Sequence, residues 1–540
     1  MPTRPRTGLL GRVAFFLTLS VGWNGYEFGR ADHGIHLVFV DRLLHPGRWQ
    51  GDFLDRAADH HPSLVWWLEA SLSSLVGMPV AFGLLHLAAL ITTALSIEFL
   101  VRSLGGKTPA VLLSLALLAP AQFSLAGIAT LDPLFLPRGS ALPLEIFSLG
   151  LLVKRRHRDC FLLLGLAACL HAPSAAGLAV ACSLVVLYDT CKPKQRWNQE
   201  EPLRSSLRSL VTPLWFFLSA TPVLLLWILQ PSSEAAISQV DPQWLAIVDA
   251  RLGHHIDPAS WPKSDWSTAG LWLAIGGLSA ASSTTLIPFR RWSLVVVTGL
   301  IVWGILAGSL LARLLHVDLA LQLEPWECFR LVTVCCSVFL AIRMGDTLRN
   351  AGWGKTALTY GVFLGLSLLV SRATVEHNPT WLPEGKKSEE RELVEAAASR
   401  LPPGSKVLWP PQGFEYDRWR AQVPGTPSWK DGGESLFDRQ LAQEWLELTR
   451  EVCACSPLDF TAENDFQRLT TLRVHIQRSW EDRTEAELRA SAQRLGATHL
   501  ILQESQREER ASEEPGLAPG RNAPTAAAGR WVLLPISSAD

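Results

Sequence analysis

Near the start of the chain, two apolar runs are joined by the segment GYEFGRADHGIHLVFVDRLLHPGRWQGDFLDRAADHHPSLVWWL, residues 25–68. Within it, residues 33–44 carry apolar side chains at helical spacing, and residues 63–77 form a second apolar helix that starts after Pro62. The first is short and has charged ends, so we expect it to lie along a membrane interface rather than cross the membrane, and we expect the second to be interfacial or re-entrant. Residues 24–78 are therefore predicted to be a folded loop outside the membrane.

The composition on either side of this loop indicates a membrane protein. Of the 540 residues, 48% are hydrophobic and only 18% are charged, whereas about 25% charge is usual in soluble domains. Apolar runs continue to about residue 372, and a charged, proline-rich composition follows. We predict a multi-span membrane domain, residues 1–372, and a second domain, residues 373–540, long enough to have its own core.

Eleven apolar segments are candidate membrane spans. They are residues 9–23, 79–101, 109–124, 133–153, 160–172, 174–189, 210–229, 267–288, 292–315, 326–342 and 356–371. When the spans alternate, the Lys and Arg clusters of five loops fall on one side, which the positive-inside rule assigns to the cytoplasm. We therefore predict an α-helical polytopic membrane protein of about 11 transmembrane helices, with a cytoplasmic N-terminus and an extracytoplasmic C-terminal domain.

The C-terminal domain has the pattern of a small α/β domain. Strands are predicted at residues 406–409, 499–502 and 531–535, and a helix is predicted to begin at Thr484, which can form a capping box with Glu487. The polar, Pro- and Gly-rich residues 504–530 are predicted to be a mobile loop. The pair Cys453 and Cys455 offers too few ligands for a zinc site, and its role stays open. The absence of basic runs argues against nucleic acid as a partner.

The first loop contains the strongest candidates for chemistry. Asp32 and His36 are four residues apart, so they share one face if the segment is helical. A carboxylate there can act as a general base or as a ligand of a divalent metal, and the imidazole can assist in either role. Other candidates are Glu27, His33, His60 and His61 of the same loop, and Lys430 of the C-terminal domain. The alternative for each is a solvated or structural side chain.

Two arginines lie inside predicted spans. Arg138 follows a proline in the fourth span, and Arg330 lies several residues into the tenth. Charges in membrane segments are costly and usually face a cavity or a partner, and a guanidinium suits bidentate capture of phosphate. The alternative is that both side chains extend to the lipid headgroups.

Several motifs together resemble the GT-C superfamily of membrane glycosyltransferases, which includes protein O-mannosyltransferases, aminoarabinose transferases and the catalytic subunit of oligosaccharyltransferase. DHHPSLVWWLEASL at residues 59–72 is similar to their "DHPPL..WL" stretch, and ALPLEIFSLGLLVKRR at residues 141–156 to the end of their fourth span. The chain also resembles uncharacterised bacterial multi-span proteins of this type. Their opening motif is matched from Tyr26 to Asp52, and their "LHP..A" in part at residues 170–173.

The resemblance implies transfer of a sugar from a polyprenyl-phosphate donor to an acceptor at the external face of the bacterial cytoplasmic membrane. It makes Asp32 the candidate catalytic base, with Glu27 the nearest glutamate, because the "DE" pair of the superfamily is replaced here by Asp32–His33. Arg138 and Arg330 are then the candidates for binding the phosphate of the lipid. A divalent metal is a candidate cofactor, with Asp32 and His36 as its ligands.

Two other classes of function compete with this hypothesis. A non-catalytic membrane scaffold in envelope assembly would present the C-terminal domain to partners. A transporter is also an alternative, although the sequence contains no convincing internal repeat. The sequence leaves open the sugar, the acceptor, the metal requirement and the oligomeric state.

Overall fold

The structure is a computed structural model. It describes residues 8–30, 32–122, 124–191, 211–229, 241–286, 290–305, 321–350, 389–412, 414–458, 465–507, 526–528 and 530–536. The predicted boundary at residue 372 and the predicted span 356–371 lie outside these ranges.

The part of the chain before residue 351 is mostly helical in the residues that the structure describes. Its α-helices are α1 (Leu9–Asn24), α2 (His33–Leu44), α3 (Phe53–Ala57), α4 (Val65–Val76), α5 (Met78–Ser103), α6 (Thr108–Leu118), α7 (Pro137–Val153), α8 (His157–Leu170), α9 (Ala172–Cys191), α10 (Leu214–Ile228), α11 (Pro242–Ile256), α12 (Lys263–Ser282), α13 (Arg290–Ile305) and α14 (Phe329–Asn350). The predicted helix at residues 33–44 is confirmed. The predicted spans 160–172 and 174–189 correspond to the separate helices α8 and α9, which meet at His171.

Among the described residues, three helical segments are long and apolar enough to cross a membrane. They are Met78–Ser103, Ala172–Thr190 and Pro325–Leu348, and three shorter apolar helices are α1, α6 and α10. The segment predicted as span 109–124 is helical only to Leu118. The segment between the predicted spans 210–229 and 267–288 contains α11. The chain is thus a multi-pass membrane protein, while the count of 11 spans stays a prediction.

The first loop is held in shape by a buried aspartate at the end of α2. Asp41 accepts hydrogen bonds from Arg48 Nη1 at 2.8 Å and from Trp49 Nε1 at 2.8 Å, and it contacts His45 Nδ1 at 3.0 Å. A carboxylate that is 4% exposed needs such partners, because burial without them is costly. The sequence HPGRWQGD is therefore folded back onto α2, and α3 starts directly after it.

The described residues from 389 onward form a small α/β unit, which we call the C-terminal unit. Its helices are α15 (Glu389–Arg400), α16 (Glu415–Ala421), α17 (Arg439–Cys453), α18 (Asp465–Glu481), α19 (Glu485–Arg494) and α20 (Glu504–Arg507), and its strands are β1 (Val407–Leu408), β2 (His499–Gln503), β3 (Ala526–Ala528) and β4 (Trp531–Pro535). The sheet order is β1-β2-β4-β3, with β1 and β2 parallel and the other pairs antiparallel.

Local signals in the sequence explain most of the C-terminal unit. The capping box of Thr484 and Glu487 is confirmed at the start of α19, and the three predicted strands are β1, β2 and β4. The predicted loop 504–530 differs at its described ends, which are the short helix α20 and the strand β3. Cys453 and Cys455 are both free thiols.

A buried ion cluster fastens the C-terminal unit to the first loop. Asp52 caps α3 by accepting from the backbone N–H of Leu54, and its other oxygen accepts from the N–H of Gly425 at 2.9 Å. Arg418 Nη1 lies 3.4 Å from Asp52 and 3.0 Å from Asp431. All three charged side chains are at most 2% exposed. The position of residues 425–431 relative to the first loop is therefore fixed by charge as well as by packing.

The first loop and the C-terminal unit approach each other closely at Gly29, so we expect a larger side chain at this position to destabilise the fold. Gly29 has φ of +84°, and a Cβ at this position would lie 2.3 Å from the ring of Tyr416. Gly29→Ala is expected to lower the free energy of unfolding by about 2–4 kcal/mol, which combines left-handed strain with overpacking. Thermal unfolding of the purified chain measures the effect.

Gly47→Ala is the matched control, because Gly47 has φ of +88° but open space around its Cβ position. It should incur only the backbone strain, about 1–2 kcal/mol. Equal losses in the two variants would show that the contact with Tyr416 does not contribute.

Candidate active site

Asp32 lies where the membrane helices meet the C-terminal unit. It precedes α2, and its backbone carbonyl accepts from the N–H of His36. One carboxylate oxygen is 2.8 Å from Lys430 Nζ, and the other is 3.8 Å from Arg138 Nη2. The side chain is 34% exposed. Three candidates from distant parts of the sequence thus form one charged group.

The position of Lys430 is set by α11 of the membrane part. Arg251 Nε donates to the backbone carbonyl of Trp429 at 2.8 Å, and its Nη2 donates to that of Lys430 at 3.1 Å. The guanidinium also lies over the Trp429 ring, 5.4 Å from its centre. The next residue, Asp431, belongs to the buried cluster with Arg418. The backbone on both sides of Lys430 is therefore held, by Arg251 and by Arg418. This arrangement places the Lys430 side chain next to Asp32.

Arg138 is held by a second aspartate that the sequence analysis did not identify. Its Nε and Nη2 donate to the two oxygens of Asp132 at 2.9 and 2.8 Å, a bidentate geometry that fixes the guanidinium plane. Its Nη1 lies 3.6 Å from Glu327. Pro137 opens α7, so Arg138 lies in the first helical turn. One guanidinium therefore faces three carboxylates.

Arg330 lies in a buried network rather than in the open part of the site. Its Nη2 donates to Glu145 at 3.0 Å and to Ser174 Oγ at 3.0 Å, and its Nη1 donates to the backbone carbonyl of Arg138. Arg330 is 1% exposed and Glu145 is fully buried. A membrane-buried charge needs such partners. The contact of Arg330 with Arg138 is made through the backbone carbonyl of Arg138.

The histidines of α2 differ in their surroundings. Both ring nitrogens of His33 are engaged, with the N–H of Gly29 and the carbonyl of Phe135, each at 3.0 Å. Burial lowers the pKa of His33 to about 4, so the ring is neutral. His36 packs 4.8 Å from the Trp66 ring, and its buried Nδ1 has no hydrogen-bond partner among the described residues. His36 remains a candidate to contact a ligand, whereas His33 is part of the core.

The remaining first-loop candidates contact other elements. His60 Nδ1 lies 3.6 Å from Asp438, and His61 Nδ1 lies 3.3 Å from Glu434, so both face carboxylates of the C-terminal unit. Glu27 is 8% exposed and pairs with Arg30 at 3.2 Å. Its backbone N–H donates to Pro133, next to Asp132. These residues therefore contact the elements that surround Asp32.

The charges around Asp32 determine its protonation. Burial raises the pKa of Asp32, but the positive charges of Lys430 and Arg138 outweigh that effect and hold the pKa well below its usual range. The carboxylate is therefore ionised at neutral pH. Both of its oxygens already face cations, which leaves neither oxygen free to bind a divalent metal.

A separate group has the donor atoms that a metal would need. His171, Glu324 and Glu327 each offer one ligand atom, and these atoms lie within 4.8 Å of one another. His171 lies at the break between α8 and α9, and the two glutamates lie just before α14. The sequence signal for them was weak: the partial "LHP..A" match, and two acidic residues three positions apart at the start of an apolar run.

Comparisons with known proteins give likenesses of fold. No protein-family model and no curated protein sequence matches the chain. Among solved structures, it is similar to the oligosaccharyltransferase AglB from Archaeoglobus fulgidus in complex with an inhibitory peptide and a dolichol-phosphate. The TM-score is 0.41 at 11% identity, over 92% of this chain and 69% of that one. It is also similar to ArnT from Cupriavidus metallidurans bound to undecaprenyl phosphate, with a TM-score of 0.39 at 11% identity, over 98% of both chains.

The oligosaccharyltransferase is one of the GT-C enzymes that the sequence resembles. A second structure of an Archaeoglobus fulgidus oligosaccharyltransferase, a complex with Zn and sulfate, matches with a TM-score of 0.38 at 10% identity, over 92% of this chain and 67% of that one. Because these scores lie below 0.5, we base the functional proposal on the residues of this chain.

Proposed function

We propose that the chain is a GT-C-type glycosyltransferase that moves a sugar from a polyprenyl-phosphate donor to an acceptor at the external membrane face. The observation that supports it is the group formed by Asp32, Lys430 and Arg138, where one ionised carboxylate is held beside two cations at the edge of a membrane domain. A proton acceptor and fixed positive charge are what this transfer needs. The polyprenyl-phosphate donor is inferred from the resemblance of the sequence to the GT-C superfamily.

In the proposed reaction, Asp32 accepts the proton of the acceptor's attacking group. The acceptor atom then forms a bond to the anomeric carbon, and the bond from that carbon to the phosphate oxygen breaks. The electron pair of the broken bond stays on the phosphate. Lys430 moves away from Asp32 towards this charge when the substrates bind, which raises the basicity of the carboxylate when it is needed.

The cations of the site stabilise the leaving phosphate. Lys430 and Arg138 are 26% and 22% exposed, so their charged ends are accessible. Arg330 does not contact the phosphate in this proposal, because its Nη atoms are engaged by Glu145, Ser174 and the Arg138 carbonyl. It positions Arg138 instead. The bidentate bond to Asp132 keeps that guanidinium in place during the transfer.

We propose that the N-terminus lies in the cytoplasm, and that the first loop and the C-terminal unit lie on the external side of the bacterial inner membrane. Charge clusters in the loops support this arrangement. The contacts of the C-terminal unit with the first loop require both to lie on the same side.

A non-catalytic scaffold is the second candidate, and one observation favours it. Both oxygens of Asp32 face cations, and one of these cations comes from the C-terminal unit, which is also what a purely structural link would show. A scaffold would use this ion group to hold the two parts together. It would consume no lipid-linked sugar.

Membranes with and without the chain distinguish the two functions. We would incubate both with a panel of labelled polyprenyl-phosphate sugars and measure labelled product and free polyprenyl phosphate. The glycosyltransferase proposal expects release of the lipid phosphate that depends on the chain and on an acceptor. Equal release in both membranes, across the panel, would favour the scaffold.

The ion pair of Asp32 with Lys430 predicts a change in pH dependence. In the wild type, the depressed pKa keeps Asp32 ionised, so activity is lost only as the pH falls through that low value. Lys430→Met removes the largest of the charges that depress the pKa, and the acid limb of the rate profile should move to higher pH. The measurement is kcat/KM for transfer as a function of pH, because this quantity reports the free protein, in which Lys430 contacts Asp32.

Lys263→Met serves as the control, since Lys263 is an exposed lysine at the start of α12. Its acid limb should coincide with that of the wild type. If the limb of Lys430→Met also stays in place, Asp32 is not the group that titrates.

A further inference from the structure

We infer that a divalent transition-metal ion binds to His171, Glu324 and Glu327, beside Arg138 and separate from Asp32. The role of this ion in sugar transfer rests on the proposed function. Its binding does not, and can be measured without any substrate. The nitrogen and two carboxylate ligands suit Zn²⁺ or Mn²⁺.

A buried oxygen atom of Glu327 that has no partner supports this metal site. Glu327 is 3% exposed, and its Oε2 has no hydrogen-bond partner among the described residues. Its other oxygen is 3.6 Å from Arg138 Nη1, too long for a hydrogen bond. A buried carboxylate oxygen without a partner is costly, so an ion at this position would remove a real penalty.

The second argument is the tautomer of His171, which neighbouring groups determine. Ser174 Oγ accepts from Arg330 Nη2, which can only donate, and its own hydrogen goes to the carboxylate of Glu145. His171 Nδ1, 2.8 Å from the same oxygen, must therefore donate to it. The Nε2 atom is left with its lone pair, the form in which histidine binds a metal. Hydrogen bonds of this kind to the second nitrogen are typical of metal-ligating histidines.

The numbers of acidic and basic side chains around Arg138 also favour a bound cation. Arg138 is shared by Asp132, Asp32 and Glu327, and Arg330 is paired with Glu145. Lys430 pairs with Asp32. Glu324 adds a further carboxyl group beside Glu327, so five carboxyl groups face three cations in this group. A divalent cation balances that excess.

The backbone at Glu324 has an uncommon conformation. Its φ of +38° lies in the left-handed region, which a residue with a side chain rarely adopts. The turn brings Glu324 to the same group as Glu327, three residues later. When bound, the ion would supply positive charge next to Arg138, where the proposal places the lipid phosphate.

The test is direct titration of the metal-free full chain in detergent with Mn²⁺, followed by the spin-resonance signal of the free ion. We expect one tightly bound ion per chain, displaced by Zn²⁺. Glu324→Gln and Glu327→Gln should each weaken binding by more than about tenfold, and Ser174→Ala by about 10- to 100-fold through loss of the His171 orientation. Glu98→Gln is the matched control, a carboxylate on α5 that pairs with Arg12 instead.

Asp32→Asn distinguishes this site from a metal site in the first loop. Our inference expects its affinity to stay close to that of the wild type. Loss of binding in Asp32→Asn, or retention of full affinity in both glutamine variants of Glu324 and Glu327, would overturn the assignment. A wild-type chain that binds neither ion would do so too. Because no sugar is involved, an inactive chain that binds the metal refutes only the proposed function.

Discussion

Asp32→Asn should reduce the rate of sugar transfer by about 10²- to 10⁴-fold, the range that loss of a general base usually gives. The amide has nearly the same volume as the carboxylate but accepts no proton. It also leaves Lys430 and Arg138 without the charge that lies 2.8 and 3.8 Å from them. The measurement is the transfer rate in membranes at matched levels of inserted protein.

Asp59→Asn is the control for this variant. Asp59 is in the same loop, is 49% exposed and pairs with Arg42 at 2.8 Å, and such exposed pairs contribute little to stability. Its rate should equal that of the wild type. If Asp32→Asn is inserted, folded and fully active, Asp32 is not the base. If no chain-dependent transfer is found for either protein, the scaffold becomes the better explanation.

Local parts of the fold could be predicted from the sequence because their signals are local. Apolar spacing located α2, two successive apolar runs indicated the separate helices α8 and α9, and the Thr484 capping box located α19. Helix α11 was missed, since its polar residues and flanking prolines are typical of a loop. There, packing against the C-terminal unit outweighs the local composition, as the hydrogen bond from Trp244 to Ser435 illustrates.

The arrangement of the site depended on contacts that no local pattern reports. Asp32, Arg138 and Lys430 were candidates individually, but their meeting follows from the docking of the C-terminal unit on the first loop. Arg330 was identified as a charge in an apolar run, and its partner Glu145 lies in another one. A buried charge in a membrane domain requires a partner, and the sequence does not say which one it is.

The largest effect on stability is expected from a substitution in the buried ion cluster that joins the C-terminal unit to the first loop. Arg418→Met should lower the free energy of unfolding by about 3–5 kcal/mol, because it leaves the fully buried carboxylates of Asp52 and Asp431 without their shared cation. For a unit of this size, the loss corresponds to a decrease in Tm on the order of 10 °C. Thermal unfolding and limited proteolysis of the C-terminal unit measure it.

Arg420→Met is the matched control, two positions further along α16. Arg420 pairs with Glu395 at 2.8 Å, but the two side chains are 26% and 43% exposed, so the loss should stay below about 1 kcal/mol. Equal Tm values for the two variants would show that the buried cluster does not hold the units together. A selective loss in Arg418→Met should also release the segment that carries Lys430. Transfer would then fall although Asp32, Arg138 and Lys430 are all intact, because catalysis requires them in one place.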